Sequence, residues 1–173
     1  MLRVCVIGLG PIGNTHATVY QSLPDVELAG VCDRQEDRAR KAGERFGVAW
    51  YLDAQKMLDE LKPDLVSVAT GGFEYSSDHY EPTLQALHAG AHVLCEKPIC
   101  NDLAKAEEMV RTAKELDRCF ALDFNHRFTP AARTAKQWQR EGRLGELLFL
   151  NMNLWIGRFG EFDTEFYHLK ALN

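Results

Sequence analysis

Two short stretches carry residue types able to do chemistry. In "VLCEKPI", residues 93–99, an apolar run ends abruptly at Glu96, Lys97 and Pro98. In "VIGLGPIG", residues 6–13, Gly8, Gly10 and Gly13 stand in G-x-G-x-x-G spacing. The second pattern means little alone, but here it follows a strand pattern and opens a helix pattern. Gly8 then permits the tight turn, Gly10 lets the backbone approach a pyrophosphate, and Gly13 lets helix and strand pack closely. Pro11 and Ile12 complete the loop, whose helix N-terminus offers N–H groups and partial positive charge to phosphates. Asp33 follows Gly13 by twenty residues, at the end of the next strand pattern. A carboxylate there can accept hydrogen bonds from ribose hydroxyls, which points to NAD. Arg34 follows at once and can pair with a 2′-phosphate, so NADP stays open.

In a doubly wound sheet, ligands bind beyond the carboxyl ends of the strands. Thr70 ends one strand pattern and Glu96-Lys97-Pro98 ends the next, so both should face the crevice of the glycine loop. Lys97 could hydrogen-bond the oxygen of a hydroxyl-bearing substrate and help move its proton, and burial beside a cationic nicotinamide would favour the neutral amine. Glu96 would orient Lys97 or touch the cofactor. A solvated Glu/Lys pair at a strand end is the bland alternative and contributes about 0–1 kcal/mol. The glycine loop is what argues for chemistry.

The elements that must position these residues alternate. Strand patterns lie at "LRVCVIG", "VELAGVCD", Val48–Tyr51, "PDLVSVAT", "AHVLCE" and "RCFALDF". Helix patterns run from Pro11 to Leu23, Gln35 to Phe46, from Asp53, Glu81 to His88 and Asp102 to Leu116. In the first helix Ile12, His16, Val19 and Leu23 fall on one face. The last should bury Leu103, Ala106, Met109, Val110 and Ala113. Such alternation, with two-sided apolar strands, gives an α/β fold: a Rossmann-type doubly wound parallel sheet over residues 1–122. After that the texture changes. "NHRFTP" reads as a linker, and Thr129 caps a helix with Pro130 at its first position, ended by Gly142 or Gly145. "LLFLNMNLWI" reads as a long strand with Leu148, Leu150, Met152, Leu154 and Ile156 facing a core. Asn151, Asn153 and Trp155 would then face a polar cavity. One helix and one strand make no domain, so residues 123–173 are expected to begin a second, incomplete one.

The chain has 173 residues, with twenty basic against twenty-five acidic side chains, a net charge of −5. That balance argues against a nucleic-acid partner. The apolar runs are too short to span a bilayer. "MLRVCVIG" enters a strand without a charged leader, so a cytoplasmic home is expected. The five cysteines, Cys5, Cys32, Cys95, Cys100 and Cys119, are odd in number and form no CxxC or Cys/His cluster. They read as reduced thiols, with no metal site. No internal repeat or low-complexity segment is present.

"GLGPIG" with Asp33, "HYEPTLQALHAGAHVLCEKPI" and "NHRFTPAARTAKQWQREGRLGELLFLN" together resemble the Gfo/Idh/MocA family of NAD(P)-dependent oxidoreductases. The run from Ala89 to Pro98 is the most specific part. The resemblance implies a Rossmann domain followed by an α/β substrate domain. That second domain is built on an open, mostly antiparallel sheet and commonly forms a homo-oligomer interface. It implies hydride transfer between nicotinamide and a hydroxyl-bearing carbon of a sugar, inositol or related polyol. Lys97 would be the active-site lysine, with Lys97–Pro98 a candidate cis peptide. Arg127, flanked by Asn125 and His126, would contact substrate or nicotinamide. His79 would lie near the cofactor, or simply hydrogen-bond a helix start. His16, His88 and His92 are assigned to packing or surface. Two departures stand out. "GGFEYSSD", residues 71–78, is longer than the usual link and reads as a flap whose Tyr75 could touch ligand. The family's catalytic Asp-x-x-x-His pair is expected beyond Asn173; His168 precedes that position and is assigned to pocket lining or surface. This chain would then lack its base. A non-catalytic dinucleotide-binding sensor or regulatory module is the alternative.

Overall fold

Alternation along the first strand sets the architecture. In the computed structural model, which describes residues 1–71 and 78–151, β1 spans Leu2–Ile7. Val4 and Val6 enter one apolar cluster, while Cys5 and Ile7 enter another. Successive side chains of a strand point to opposite faces, so β1 needs cover on both.

The chain supplies it by repeated crossover. After β1 come α1 (Pro11–Ser22), β2 (Val26–Cys32), α2 (Glu36–Phe46), β3 (Ala49–Tyr51), α3 (Ala54–Leu61) and β4 (Leu65–Val68). Then follow α4 (Tyr80–His88), β5 (His92–Cys95), α5 (Leu103–Glu115) and β6 (Phe120–Leu122). The six strands are parallel, in the order β3-β2-β1-β4-β5-β6. The order reverses between β1 and β4, where a doubly wound sheet opens its ligand crevice. Ala17 and Tyr20 of α1 and Ala39, Ala42 and Phe46 of α2 cover one face. Met57 and Leu58 of α3, Ala86 and Leu87 of α4, and Met109 and Ala113 of α5 cover the other.

Local chemistry sets the boundaries. Asp53 caps α3 by accepting from the Lys56 amide at 2.7 Å, and Asp102 caps α5 by accepting from Ala104 at 2.8 Å. Gly47 ends α2 in the left-handed region at φ +67°.

Two helix faces differ from the sequence reading. In α1 the buried residues are Gly13, Ala17 and Tyr20, while Ile12, Val19 and Leu23 are exposed. Small residues let α1 lie close on the sheet, and hydrophobicity alone points to the wrong stripe. In α5, Met109, Thr112 and Ala113 are buried, and Leu103 and Val110 are exposed.

Contacts divide the chain into residues 1–126 and 127–173. The first unit runs past β6 because the Asp123 amide donates to Cys95 O at 2.8 Å. A 3-10 turn covers Asn125–Phe128. In the second unit α6 spans Pro130–Arg140, with Thr129 accepting from the Ala132 amide at 3.3 Å. Residues 147–151 form no strand, and Leu148 and Leu150, expected to face a core, are 86% and 70% exposed. A strand exists through its backbone partners, and the described residues of this unit supply none. Met152, Asn153, Leu154, Trp155, Ile156 and His168, like Tyr75, lie outside the described residues. No helix among the described residues is long and apolar enough to cross a membrane.

Candidate functional site

The glycine loop connects β1 to α1 at the reversal of strand order. Gly8 has φ +91°, and a Cβ there would meet Thr70 N at 2.5 Å. At Gly13 a Cβ would meet Gly8 O at 1.7 Å. Both positions therefore exclude a side chain for reasons of packing. Gly10 differs: a Cβ there would meet nothing within 4 Å. Its backbone faces open space, as approach by a ligand requires. Gly10 also precedes α1 without supplying a side-chain cap, and the first turn carries no acidic residue. The first-turn N–H groups around the exposed Pro11 and Ile12 are thus presented to an anion. Asn14 steadies the loop by donating through Nδ2 to Leu9 O at 2.8 Å.

Asp33 sits at the end of β2 and is buried. Its Oδ2 accepts from the Leu9 amide at 2.7 Å and its Oδ1 from the Gln35 amide at 2.8 Å. Each carboxylate oxygen keeps further acceptor capacity for a ribose hydroxyl. Arg34 is exposed beside it.

Lys97 and Pro98 are joined by a cis peptide bond. The Lys97 side chain is 62% exposed, and its Nζ lies 3.9 Å from Glu96 Oε2. The burial expected of the ammonium is therefore absent in the first unit. Glu96 is buried and receives the Lys97 amide at 3.1 Å.

His79, at the start of α4, is 1% exposed. Its Nδ1 lies 2.7 Å from Pro98 O and its Nε2 2.9 Å from Thr70 O. Carbonyl oxygens only accept, so each bond needs a ring N–H. The Thr70 hydroxyl donates to Asp78 O at 2.8 Å. His79 thus ties the residues after β4 to the turn after β5.

Sequence reading assigned His16 to packing or surface, yet it stands at the centre of the strand ends. Its Nδ1 lies 2.6 Å from Ser67 Oγ, and its Nε2 lies 3.3 Å from Glu96 Oε1 and 3.4 Å from Asp123 Oδ2. Burial alone would raise the Glu96 pKa. The His16 hydrogen bond, the Lys97 amide and the charges on both side chains outweigh it and hold Glu96 below the usual range. Asp123 goes the other way, raised by burial first and then by the Glu96 carboxylate. The three ligand-type atoms lie within 4.8 Å of one another, and an imidazole N–H between two carboxylates accounts for their approach. The rule that selected Thr70 and Glu96, looking just past each strand, also selects Asp123.

Asn125 is exposed, just past β6 in the first unit, whereas Arg127 is exposed in the second. Asn153 and Trp155 fall among the residues not described.

A family model described as an oxidoreductase family with an NAD-binding Rossmann fold matches residues 2–124. The chain belongs to the Gfo/Idh/MocA oxidoreductase family. D-glucoside 3-dehydrogenase of Escherichia coli (strain K12) is 41% identical over 148 residues, covering 84% of this chain and 41% of that protein. Myo-inositol 2-dehydrogenase of Thermotoga maritima is 32% identical over 146 residues, covering 84% and 42%. Among solved structures, scyllo-inositol dehydrogenase from Lactobacillus casei with bound NAD(H) and scyllo-inositol superposes with a TM-score of 0.76 at 27% identity, covering 84% of this chain and 43% of that one. The chain therefore spans less than half the length of these relatives.

Proposed function

We propose that this chain binds NAD and forms the cofactor-binding part of a dehydrogenase acting on a hydroxyl-bearing carbon of a sugar, inositol or related polyol. The observation that carries the reading is the glycine loop. Gly8 and Gly13 are required by packing, Gly10 is required by nothing inside the chain, and the N-terminus of α1 stands open beside it. The residues present fit a dinucleotide. Bound there, the nicotinamide supplies the acceptor or donor of hydride.

The remaining roles belong to side chains. Asp33 receives the adenosine ribose hydroxyls. Because its two oxygens are fixed by the Leu9 and Gln35 amides, it cannot swing aside for a 2′-phosphate, which favours NAD over NADP despite Arg34. Lys97 presents its ammonium at the strand ends and hydrogen-bonds the reacting oxygen. Asn125, Arg127, Asn153 and Trp155 are proposed substrate contacts. The second domain begins after the Rossmann unit and carries the homo-oligomer interface.

A second reading, a dinucleotide-binding module without turnover, is favoured by one observation. Among the described residues, both histidines at the strand ends of the first unit, His16 and His79, have both ring nitrogens engaged. Neither is placed to take a substrate proton. Fluorescence titration of the 173-residue chain with NADH and NADPH, then an activity screen on polyols, tests the readings. NADH binding at least about tenfold tighter than NADPH, a difference of about 1.4 kcal/mol, is expected. No binding of either by a folded sample rejects both readings, and turnover by this chain rejects the module.

A further inference from the structure

Lys97 is held by little of its own. Among the described residues its ammonium makes one long contact, 3.9 Å to Glu96, and its side chain is mostly exposed. The residues on either side of it are held firmly. On the C-terminal side, His79 binds Pro98 O. On the N-terminal side, the Glu96 amide donates to Val68 O at 2.9 Å, and its carboxylate meets His16 at 3.3 Å. His16 is itself fixed from behind, because Ser67 on β4 engages its Nδ1 at 2.6 Å. Two rings, one in α1 and one just before α4, therefore link the residues flanking Lys97 to β4 and the residues that follow it: His16 through Ser67, His79 through Thr70.

We infer that His16 is a positioning residue for Lys97, acting through Glu96. The inference rests on the proposed role of Lys97 in meeting the reacting oxygen, but the clamp can be tested without substrate. The physical case is that Glu96 does two jobs with one carboxylate. Oε1 meets His16, while Oε2 accepts the Lys97 amide at 3.1 Å and faces the ammonium. A carboxylate is planar and rigid, so fixing Oε1 fixes Oε2. The cluster also needs His16 for charge. Asp123 approaches the same Nε2 at 3.4 Å, so without the imidazole two carboxylates would confront each other in a largely buried place. Glu96 would turn from Asp123 and release the Lys97 amide. An apolar residue at position 16 would fill the space and lose the grip.

Hydrogen exchange of the isotopically labelled 173-residue chain, read residue by residue by NMR, tests this. His16→Leu is expected to speed exchange of the Lys97 amide by about tenfold or more while leaving Val93 and Leu94 of β5 within about twofold. His16→Gln, which keeps an N–H near the place of Nε2, is expected to restore most of the protection. Ser67→Ala, which removes only the rear support, should give an intermediate acceleration confined to the same turn, and it decides the matter if His16→Leu does not fold. Unchanged Lys97 protection in His16→Leu, or in Ser67→Ala should that variant alone fold, overturns the inference. So does acceleration spread evenly over the sheet, which is what a merely structural histidine would give. NADH titration of the wild-type chain tests the cofactor reading separately and leaves the exchange result standing.

Discussion

The Leu9 amide donates to Asp33 Oδ2 at 2.7 Å, joining the glycine loop to the end of β2. One carboxylate therefore shapes the loop and is also the proposed ribose acceptor. Asp33→Asn turns an N–H₂ toward one of two amides that can only donate, leaving a buried donor unmatched at a cost of about 1–3 kcal/mol. The melting temperature should fall by several degrees. NADH affinity should fall by about tenfold or more, with no compensating gain for NADPH because the loop itself is loosened. Differential scanning fluorimetry and cofactor titration check this. A variant with unchanged melting and restored NADPH binding would show that Asp33 is only a specificity group.

Glu96 and Asp123 oppose each other in pH. Glu96 is held below its ordinary value, so its contribution to stability is present above its unfolded value and lost as pH falls through the folded one. Asp123 is held above its ordinary 3.8, so its contribution is present below that value and lost as pH rises through the folded one. Asp123→Asn removes the second effect and one of two facing charges. The variant should be more stable than wild type on the alkaline side of the raised value. The gain should shrink as pH falls toward 3.8. Melting curves at a series of pH values upward from 3.8 give the sign, with the difference expected to grow as pH rises. A difference that does not change with pH would mean that the Asp123 carboxyl is not raised.

Lys97 should separate stability from chemistry. Its side chain is mostly exposed, so Lys97→Met is expected to change stability by no more than about 0.5 kcal/mol. On any polyol that a catalytically competent form oxidises, the same variant should lower kcat by about a hundredfold or more, as loss of a positioned acid-base group does. Loss of folding together with activity would move Lys97 to the structural side.

Much of this was legible in residue pattern. Alternating strands and helices give the parallel sheet, and the strand-end rule finds Thr70, Glu96 and Lys97 without coordinates. What pattern missed has two physical causes. Helix faces are chosen by fit as well as by hydrophobicity: Gly13 and Ala17 are buried in α1 because they are small, while Ile12 and Val19 stay out. That choice turns His16 inward beside Ser67, a contact 51 positions apart in sequence that no local periodicity reports. Leu148 and Leu150 illustrate the other limit, since alternation marks a segment able to be a strand but does not supply its partner.

The thiols should divide by burial. Cys5, Cys32 and Cys95 all enter the cluster covered by α3, α4 and α5. Burial pushes each up to about 12, so at pH 8 almost none is thiolate. Cys119 is exposed and Cys100 partly so. A disulfide-exchange reagent should therefore modify two of the five free cysteines quickly in the native chain, and all of them only in denaturant. Rapid reaction of Cys95 would mean that β5 opens.

The glycines offer the sharpest separation of packing from binding. A methyl group at position 13 would sit 1.7 Å from Gly8 O, a backbone atom with no room to yield. Gly13→Ala should cost several kcal/mol, on the scale of about 3–5 kcal/mol for a severe core disruption, and should lower expression and melting before any ligand is added. At position 10 the same methyl group meets nothing within 4 Å, and the backbone there has an ordinary negative φ of −67°. Gly10→Ala should therefore melt within about a degree of wild type, or slightly higher, because alanine restricts the unfolded chain. Its defect should appear only with NADH, as a loss of affinity of about tenfold or more when the methyl group meets the pyrophosphate. Melting curves with and without NADH report both quantities on the same samples. A Gly10→Ala chain that binds NADH as well as wild type would remove the pyrophosphate from this loop, and with it the reason to place a dinucleotide there.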